Sequence, residues 1–403
     1  MKKKYLIMLL FTLIIQLNLS AATSDEHIAE VNRLRDQGLY KSAWIYLHEH
    51  AEQIDFSRMM ISKTELCIRY YAITNLHQMF SFVDLAAGET LNDVRKTRNS
   101  MEDMKLFDPA GGLLTALEKD PENGELHYWL GEFYFDQLYL FGSENGLSEE
   151  DLQYQIVKHY RAALDKGWKD EILLANLAYT ELTIKEWSSS ILHFRKALEI
   201  NPDNPAYHHN LAMALMNDNQ LVAADGEIRK TLKLYKDDSY KADSLFLGST
   251  IALMEDNSQE TLAYLLEGKK TAPEDYRFPE RLIQVNLVMN DREAALENSR
   301  VFFELYPASP ESCQTIMNHF NAFDALEELL PFFEKLMPPY EKNPEVLGNL
   351  QYHLGVSYLM TDRKDLALEQ LNKAANTFAT VFSKDHQIFS IIENLKLKIE
   401  TQS

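Results

Sequence analysis

Apolar side chains recur at helical spacing along this chain, and over part of the sequence the pattern itself repeats every 34 residues. The recurring sets are Tyr160 and Ala163 with Phe194 and Ala197, Leu177-Ala178 with Leu211-Ala212, and Pro273 with Pro307. No long β-branched run alternates with polar residues, and only 14 Gly and 12 Pro occur. The pattern therefore predicts helices joined by short turns, and the interval is typical of repeats built from helix pairs.

The residues at the repeated positions resemble the tetratricopeptide repeat, a helix-turn-helix unit. Leu130-Gly131-x-x-Tyr134 and Leu354-Gly355-x-x-Tyr358 match its first helix, while Ala224 and Ala367 stand where its second helix has a small residue. The resemblance implies an all-α fold, a right-handed α-solenoid of stacked helix-turn-helix repeats. In such a stack Gly131, Gly355 and Ala197 let neighbouring helices approach closely.

The resemblance covers roughly residues 109 to 381 and decays between 240 and 345, where Gly268 sits at an expected Ala. In the turn at 201–205, Asn204 is predicted to cap a helix that starts at Pro205. Ser57 to Gly88 is predicted to be a long apolar helical stretch. The predicted organisation begins with an export signal at 1–22 and an N-terminal helical region at 23–108, which consists of degenerate repeats or a cap. Clear repeats follow at 109–240, with an insertion near 141–151. Degenerate repeats are predicted at 241–345, and a C-terminal repeat with a capping helix at 346–403.

The first residues have the pattern of an export signal. Lys2 to Lys4 are followed by an apolar stretch and then by the small residues 20–22. Cleavage after Ala22 would leave Thr23 and Glu26 to form a capping box on the first helix. The expected location is periplasmic or secreted. The alternative is an uncleaved segment that anchors the protein in a membrane.

Net charge limits the choice of partners. The formal charge is −21 and becomes −24 without residues 1–22, which contain three lysines and no acid. Nucleic-acid binding is disfavoured because it needs clustered Lys and Arg. A neutral or basic protein or peptide is expected instead, and a membrane only if the N-terminal segment is uncleaved. Cys67 and Cys313 are predicted to be two buried free thiols.

The candidate binding residues lie on one face of the first helices, the face that lines the concave groove in the resembled family. They are mostly aromatic, thioether and aliphatic side chains: Tyr128, Glu132, Phe135, Tyr179, Leu182, His209, Met213 and Met216. Tyr352, Val356 and Leu359 continue this face at the far end. Nearby Trp129, Phe133 and Tyr134 are interpreted as core. The alternative for the whole face is contact with the next turn of a tightly wound solenoid.

Signals for chemistry are weak. His48 and His50 are two residues apart and point to different helix faces, so they do not make a zinc site. We predict no catalytic residues, metal or cofactor, and interpret the chain as an exported, non-enzymatic scaffold that binds proteins through its concave face. The alternatives are an assembly or accessory factor of a cell-envelope or secretion machine, or an enzyme with its site in the N-terminal helical region.

Overall fold

The computed structural model describes residues 23–75, 77–97, 103–142 and 146–401. The predicted export signal at 1–22 lies outside these residues. Contacts divide the chain into two compact units, unit 1 up to Pro202 and unit 2 from Asp203. The all-α prediction is confirmed, since stacked helix pairs make up most of each unit. The domain boundaries drawn from the sequence stay a prediction.

Unit 1 consists of helices joined mainly by short turns. Its helices are α1 (Ser24–Asp36), α2 (Tyr40–Glu49), α3 (Phe56–Arg69), α4 (Leu91–Thr97), α5 (Pro109–Lys119), α6 (Gly124–Asp136), α7 (Glu149–Asp165), α8 (Glu171–Thr183) and α9 (Trp187–Ile200). A π-helical turn, Gln137–Phe141, extends α6. The predicted capping box is confirmed, because Thr23 Oγ1 accepts the Glu26 N–H and the Glu26 carboxylate accepts the Thr23 N–H. One continuous core runs from α1 to α8.

A small antiparallel sheet interrupts unit 1 and corrects the predicted helical stretch from Ser57 to Gly88. The helix ends at Arg69, and the chain then forms β1 (Ile73–Asn75), β2 (Met79–Ser81) and β3 (Lys105–Leu106) in the order β1-β2-β3. Phe80 and Phe82 turn into the core, where Phe82 stacks with both Phe80 and Trp44. The apolar run is therefore buried in two kinds of element instead of one helix.

Unit 2 continues the helix pairs. Its helices are α10 (Pro205–Asn217), α11 (Leu221–Leu234), α12 (Asp238–Met254), α13 (Ser258–Thr271), α14 (Arg277–Val288), α15 (Arg292–Leu305), α16 (Pro310–Ala322), α17 (Leu329–Leu336), α18 (Pro344–Met360), α19 (Lys364–Phe378) and α20 (Gln387–Thr401). Two 3-10 turns, Leu326–Glu328 and Pro338–Tyr340, flank α17. The predicted start of α10 is confirmed, since the Asn204 side chain caps it and Pro205 is its first residue.

The turn inside each of the six helix pairs from α8–α9 to α18–α19 repeats in detail. One residue adopts the left-handed conformation, and the next donates its N–H back to a carbonyl near the end of the first helix, which completes a Schellman-type ending. The left-handed residues are Lys185, Asn219, Asp256, Asn290, Asp324 and Asp362, with φ between 52° and 67°. The closing bonds are 2.8 to 2.9 Å long. Five of the six residues are Asn or Asp, which tolerate this conformation better than other residues with a side chain.

Close packing at the small residues is confirmed. A Cβ on Gly131 would lie 2.4 Å from the ring of Tyr160, and one on Gly355 would lie 3.0 Å from Leu371. Ala197 is fully buried. Gly268, which departs from the expected Ala, leaves room for the ring of Phe278, which a Cβ would approach to 1.9 Å.

The two cysteines, Cys67 and Cys313, are buried and free, as predicted. Burial raises the pKa of both thiols. Of the helices in the described part of the chain, none is both long and apolar enough to cross a membrane.

Candidate partner-binding surface

Three of the eight candidate residues lie in the interior, which corrects their assignment to an exposed face. Tyr128 is 3% exposed, Glu132 is 7% exposed and Leu182 is 5% exposed. Phe135 and Tyr179 are half-buried and share a surface of unit 1. The exposed part of the predicted face is therefore smaller than helical spacing indicated, and its role in binding stays a prediction.

Phe135, Tyr139 and Tyr179 form a continuous set of rings, the aromatic surface. The centroids of Phe135 and Tyr139 are 4.5 Å apart, and those of Tyr139 and Tyr179 are 5.4 Å apart. Tyr139 is 39% exposed, which makes it the most open of the three. Because α6 and α8 belong to successive helix pairs, the surface joins two repeats.

The π-helical turn positions Tyr139. The turn begins where α6 ends and carries Tyr139 toward α8, where its ring lies beside that of Tyr179. Burial raises the pKa of Tyr139 to about 12, so the phenol is neutral and keeps its proton at physiological pH. Single π turns are frequent at functional sites. Tyr139 was not among the candidates chosen from the sequence, although it stands four residues after Phe135 and would share its face on a regular helix.

A buried hydrogen-bond network lies behind this surface and explains why Glu132 is inside. The Glu132 carboxylate accepts the Tyr160 hydroxyl at 2.6 Å, the Asn176 amide at 3.1 Å and the Arg69 guanidinium at 3.3 Å. Burial raises the pKa of Glu132, whereas these three donors act in the opposite direction. A carboxylate with donors on several sides is a structural group more than a free contact for a partner.

Arg69 is the residue that sequence reasoning missed. It ends α3, which packs against α6, and its guanidinium donates to the Tyr128 hydroxyl at 2.7 Å and lies 4.7 Å from the Trp129 ring. The ring of Tyr128 also stacks with that of Trp168, with 5.4 Å between the two centroids. α3 therefore covers the end of the face that was predicted to be open.

Asp136 is the last residue of α6 and directly follows Phe135 of the aromatic surface. Burial raises its pKa to about 7, the Glu132 carboxylate adds to the effect, and Arg69 opposes it. The folded protein thus protonates Asp136 more readily than the unfolded chain does. Proton uptake by Asp136 therefore favours the folded state. This contribution to the free energy of unfolding is fully present below about pH 4 and is lost as the pH rises through about 7.

We expect Asp136→Asn to remove this pH dependence, because the amide stays neutral. The variant and the parent should be equally stable near pH 4, and the variant should be more stable by on the order of 1 to 2 kcal/mol near pH 8. Denaturation followed by tryptophan fluorescence measures the difference in unit 1, which contains all four tryptophans. Asp165→Asn on the exposed end of α7 is the control. Parallel pH profiles for Asp136→Asn and the parent would contradict the assignment.

The other three candidates lie on α10 of unit 2 and are half-buried. His209 Nδ1 donates to the Ser244 hydroxyl at 2.9 Å, because that hydroxyl itself donates to the Tyr240 carbonyl. Burial lowers the pKa of His209. Met213 and Met216 offer thioether surface beside it. Whether these residues contact a partner stays a prediction.

The predicted insertion near 141–151 falls between the paired helices α6 and α7, and part of it lies outside the described residues. Gly142 and Gly146 both adopt positive φ there, 60° and 87°, and α7 starts at Glu149. Trp129, Phe133 and Tyr134 are 5 to 8% exposed, which confirms that they belong to the core.

Residues 193–225 match the family model of the tetratricopeptide repeat. The chain contains a tetratricopeptide repeat. The matched segment runs from the second half of α9 through α10 into the first turns of α11, and it includes the Asn204-Pro205 turn. The tetratricopeptide resemblance read from the sequence is thereby confirmed.

Solved structures of tetratricopeptide repeat proteins are also similar to the chain. One from Parabacteroides merdae ATCC 43184 is 13% identical over 68% of this chain and 98% of its own, with a TM-score of 0.41. YrrB, described as a TPR protein with an unusual peptide-binding site, is 15% identical over 59% of this chain and 99% of its own, with a TM-score of 0.33. A MamA structure is 17% identical over 43% and 92%, with a TM-score of 0.35. No curated protein matches the sequence.

Proposed function

We propose that this protein is a non-enzymatic scaffold that holds a protein partner on the aromatic surface of unit 1. The observation that carries the proposal is the set of three touching rings, Phe135, Tyr139 and Tyr179, which stays open to solvent while the rings around it are buried. Aromatic side chains on a rigid support are the usual anchors of protein interfaces. Each ring here sits on or beside a helix that the buried network behind it holds in place.

The partner has a segment with apolar side chains and a neutral or basic charge. The rings offer apolar area, and two of the ionisable groups behind them are engaged within the protein, because Glu132 accepts the Tyr160 hydroxyl and pairs with Arg69. A net charge of −21 attracts a basic partner over long range, so the association rate falls as salt is added. The dissociation rate, set by the rings, should depend little on salt.

Replacing Tyr139 and Tyr179 with Ala tests the proposal. Partners recovered from the cell envelope with the parent protein should bind the double variant more weakly by about 2 kcal/mol for each anchor lost. The matched control is Tyr154→Ala on α7, where the phenol is 64% exposed and away from the set of rings. Equal recovery with the double variant and with the control would refute the proposed surface, provided that circular dichroism shows both variants folded.

We also propose that the protein is exported. The support is the pattern of residues 1–22, together with the capping box that Thr23 and Glu26 form directly after the proposed cleavage site. N-terminal sequencing of the protein from its natural source should find Thr23 first. Recovery of Met1 in a membrane fraction would favour the anchor instead, and Met1 in the cytoplasm would contradict export.

A further inference from the structure

Unit 2 contains a second candidate site, a cavity of about 510 Å³ near its C-terminal end. The cavity lies between the start of α16, the first half of α18 and the start of α20. The side chains used below are Glu311, Glu345, Asn349, Tyr352, His353 and Phe382. Its volume is within the range of pockets that hold small ligands or single side chains.

The buried polar groups of the cavity present hydrogen-bond acceptors. The Asn349 amide donates to the Ala308 carbonyl at 3.3 Å, so its Oδ1 remains as an acceptor. His353 is 3% exposed, and its Nδ1 donates to the Asn349 carbonyl at 2.8 Å. Burial lowers the pKa of His353 to about 4, so the ring is neutral and its Nε2 carries a lone pair.

Two carboxylates lie at the mouth. Glu311 is in the first turn of α16 and Glu345 is in the first turn of α18, and both are exposed. The Ser309 hydroxyl donates to Glu311 and lowers the pKa of that carboxyl, which is therefore charged. Among the described residues that line the cavity there is no lysine or arginine. The site is thus acidic at its mouth and offers acceptors deeper inside.

Aromatic rings form the remaining walls. Tyr352 is half-buried and meets His353 edge to face at 5.0 Å. Phe382 stacks on His386 with 4.2 Å between the centroids. Flat, weakly hydrated cations pack well on such rings, whereas a compact ammonium group stays more strongly hydrated.

We propose that this cavity binds the arginine side chain of an extended peptide segment. A guanidinium has five N–H donors in one plane and no acceptor, which matches a site of two carboxylates, an amide oxygen and an imidazole lone pair. Free arginine fits less well, because its own carboxylate would meet Glu311 and Glu345. An apolar residue next to the arginine would pack on Phe382 and on Ile388 and Ile391 of α20.

Isothermal titration of the full chain with a capped Leu-Arg-Leu peptide tests the proposal. The control peptide carries citrulline, the neutral isostere of arginine, and should bind at least about tenfold more weakly. Free arginine should also bind at least about tenfold more weakly than the capped peptide. Equal binding of the citrulline peptide, tighter binding of free arginine, or no binding of the arginine peptide at about 1 mM would each overturn the proposal.

Variants locate the binding in unit 2. The double variant Glu311→Gln, Glu345→Gln should bind the arginine peptide at least about tenfold more weakly than the parent protein does. Glu341→Gln, an exposed carboxylate outside the lining, changes the net charge without touching the cavity and should have no effect. Equal losses in the double variant and in Glu341→Gln would reduce the effect to net charge and overturn the site. The aromatic surface of unit 1 is intact in these variants, so this result is separate from the test of the proposed function.

Discussion

Alanine at position 131 should destabilise unit 1 by about 1 to 3 kcal/mol, a large effect for one added methyl group. The new Cβ would lie 2.4 Å from the ring of Tyr160. That ring is fully buried, and its hydroxyl is bonded to Glu132 at 2.6 Å, so it has little room to move. Tryptophan fluorescence during thermal unfolding reports the change, since all four tryptophans lie in unit 1.

The matched control is Gly226→Ala on α11, where an added Cβ meets nothing within 4 Å. Alanine favours the helix over glycine by roughly 0.5 to 1 kcal/mol, so this variant should become more stable. Circular dichroism follows both variants on one scale. If the thermal midpoints of Gly131→Ala and Gly226→Ala shift in the same direction, close packing at Gly131 is not the reason that α6 has a glycine there.

Arg69→Met should have the second large effect, a loss of about 2 kcal/mol in the stability of unit 1. The change removes a donor from the buried Glu132 carboxylate and from the Tyr128 hydroxyl, while Tyr160 and Asn176 continue to bond Glu132. The expected loss is below that of a fully enclosed pair, because about a third of the Arg69 side chain is exposed. The deficit should shrink at low pH, where Glu132 takes up a proton.

A double-mutant cycle with Glu132→Gln isolates the pair. If the charge pair matters, the double variant should be more stable than the sum of the two single losses predicts. Arg33→Met, which removes an exposed pair with Glu30, should leave the midpoint unchanged. Strict additivity between positions 69 and 132 would mean that the two side chains act independently.

The repeat fold could be predicted because its determinants are local. Gly131, Gly355 and Ala197 were identified by spacing, and each lies where helices pack closely. The cap at Asn204 with Pro205 behind it follows from residue chemistry alone. The left-handed turns could also have been found, because Asn219, Asp256, Asn290, Asp324 and Asp362 are residues that favour this conformation and recur at intervals of 34 to 38 residues.

The sheet could not be predicted by the same means. β1 and β2 are three residues long and β3 is two, too short for alternation to stand out from a helical pattern. Its strands are also held by pairing between Phe80 and Lys105, which are distant in sequence. Local spacing contains no record of such a contact.

The candidate surface was half predictable for a related reason. Helical spacing places Tyr128, Glu132 and Phe135 on one side of α6, and that much holds. Which part of that side meets solvent depends on α3, whose Arg69 reaches Tyr128 from 59 positions earlier in the chain. Tyr139 stands four residues after Phe135, so helical spacing places it on the same side, and it could have been selected from the sequence.

Site-specific photo-crosslinking tests the central claim most directly. A photoreactive phenylalanine analogue replaces Tyr139 in the aromatic surface in one version of the protein and Tyr154 on α7 in another, and both are irradiated with the partner present. The account predicts a covalent complex from position 139 and none from position 154, although Tyr154 is more exposed, 64% against 39%. Crosslinks from position 154, with none from 139, would contradict it.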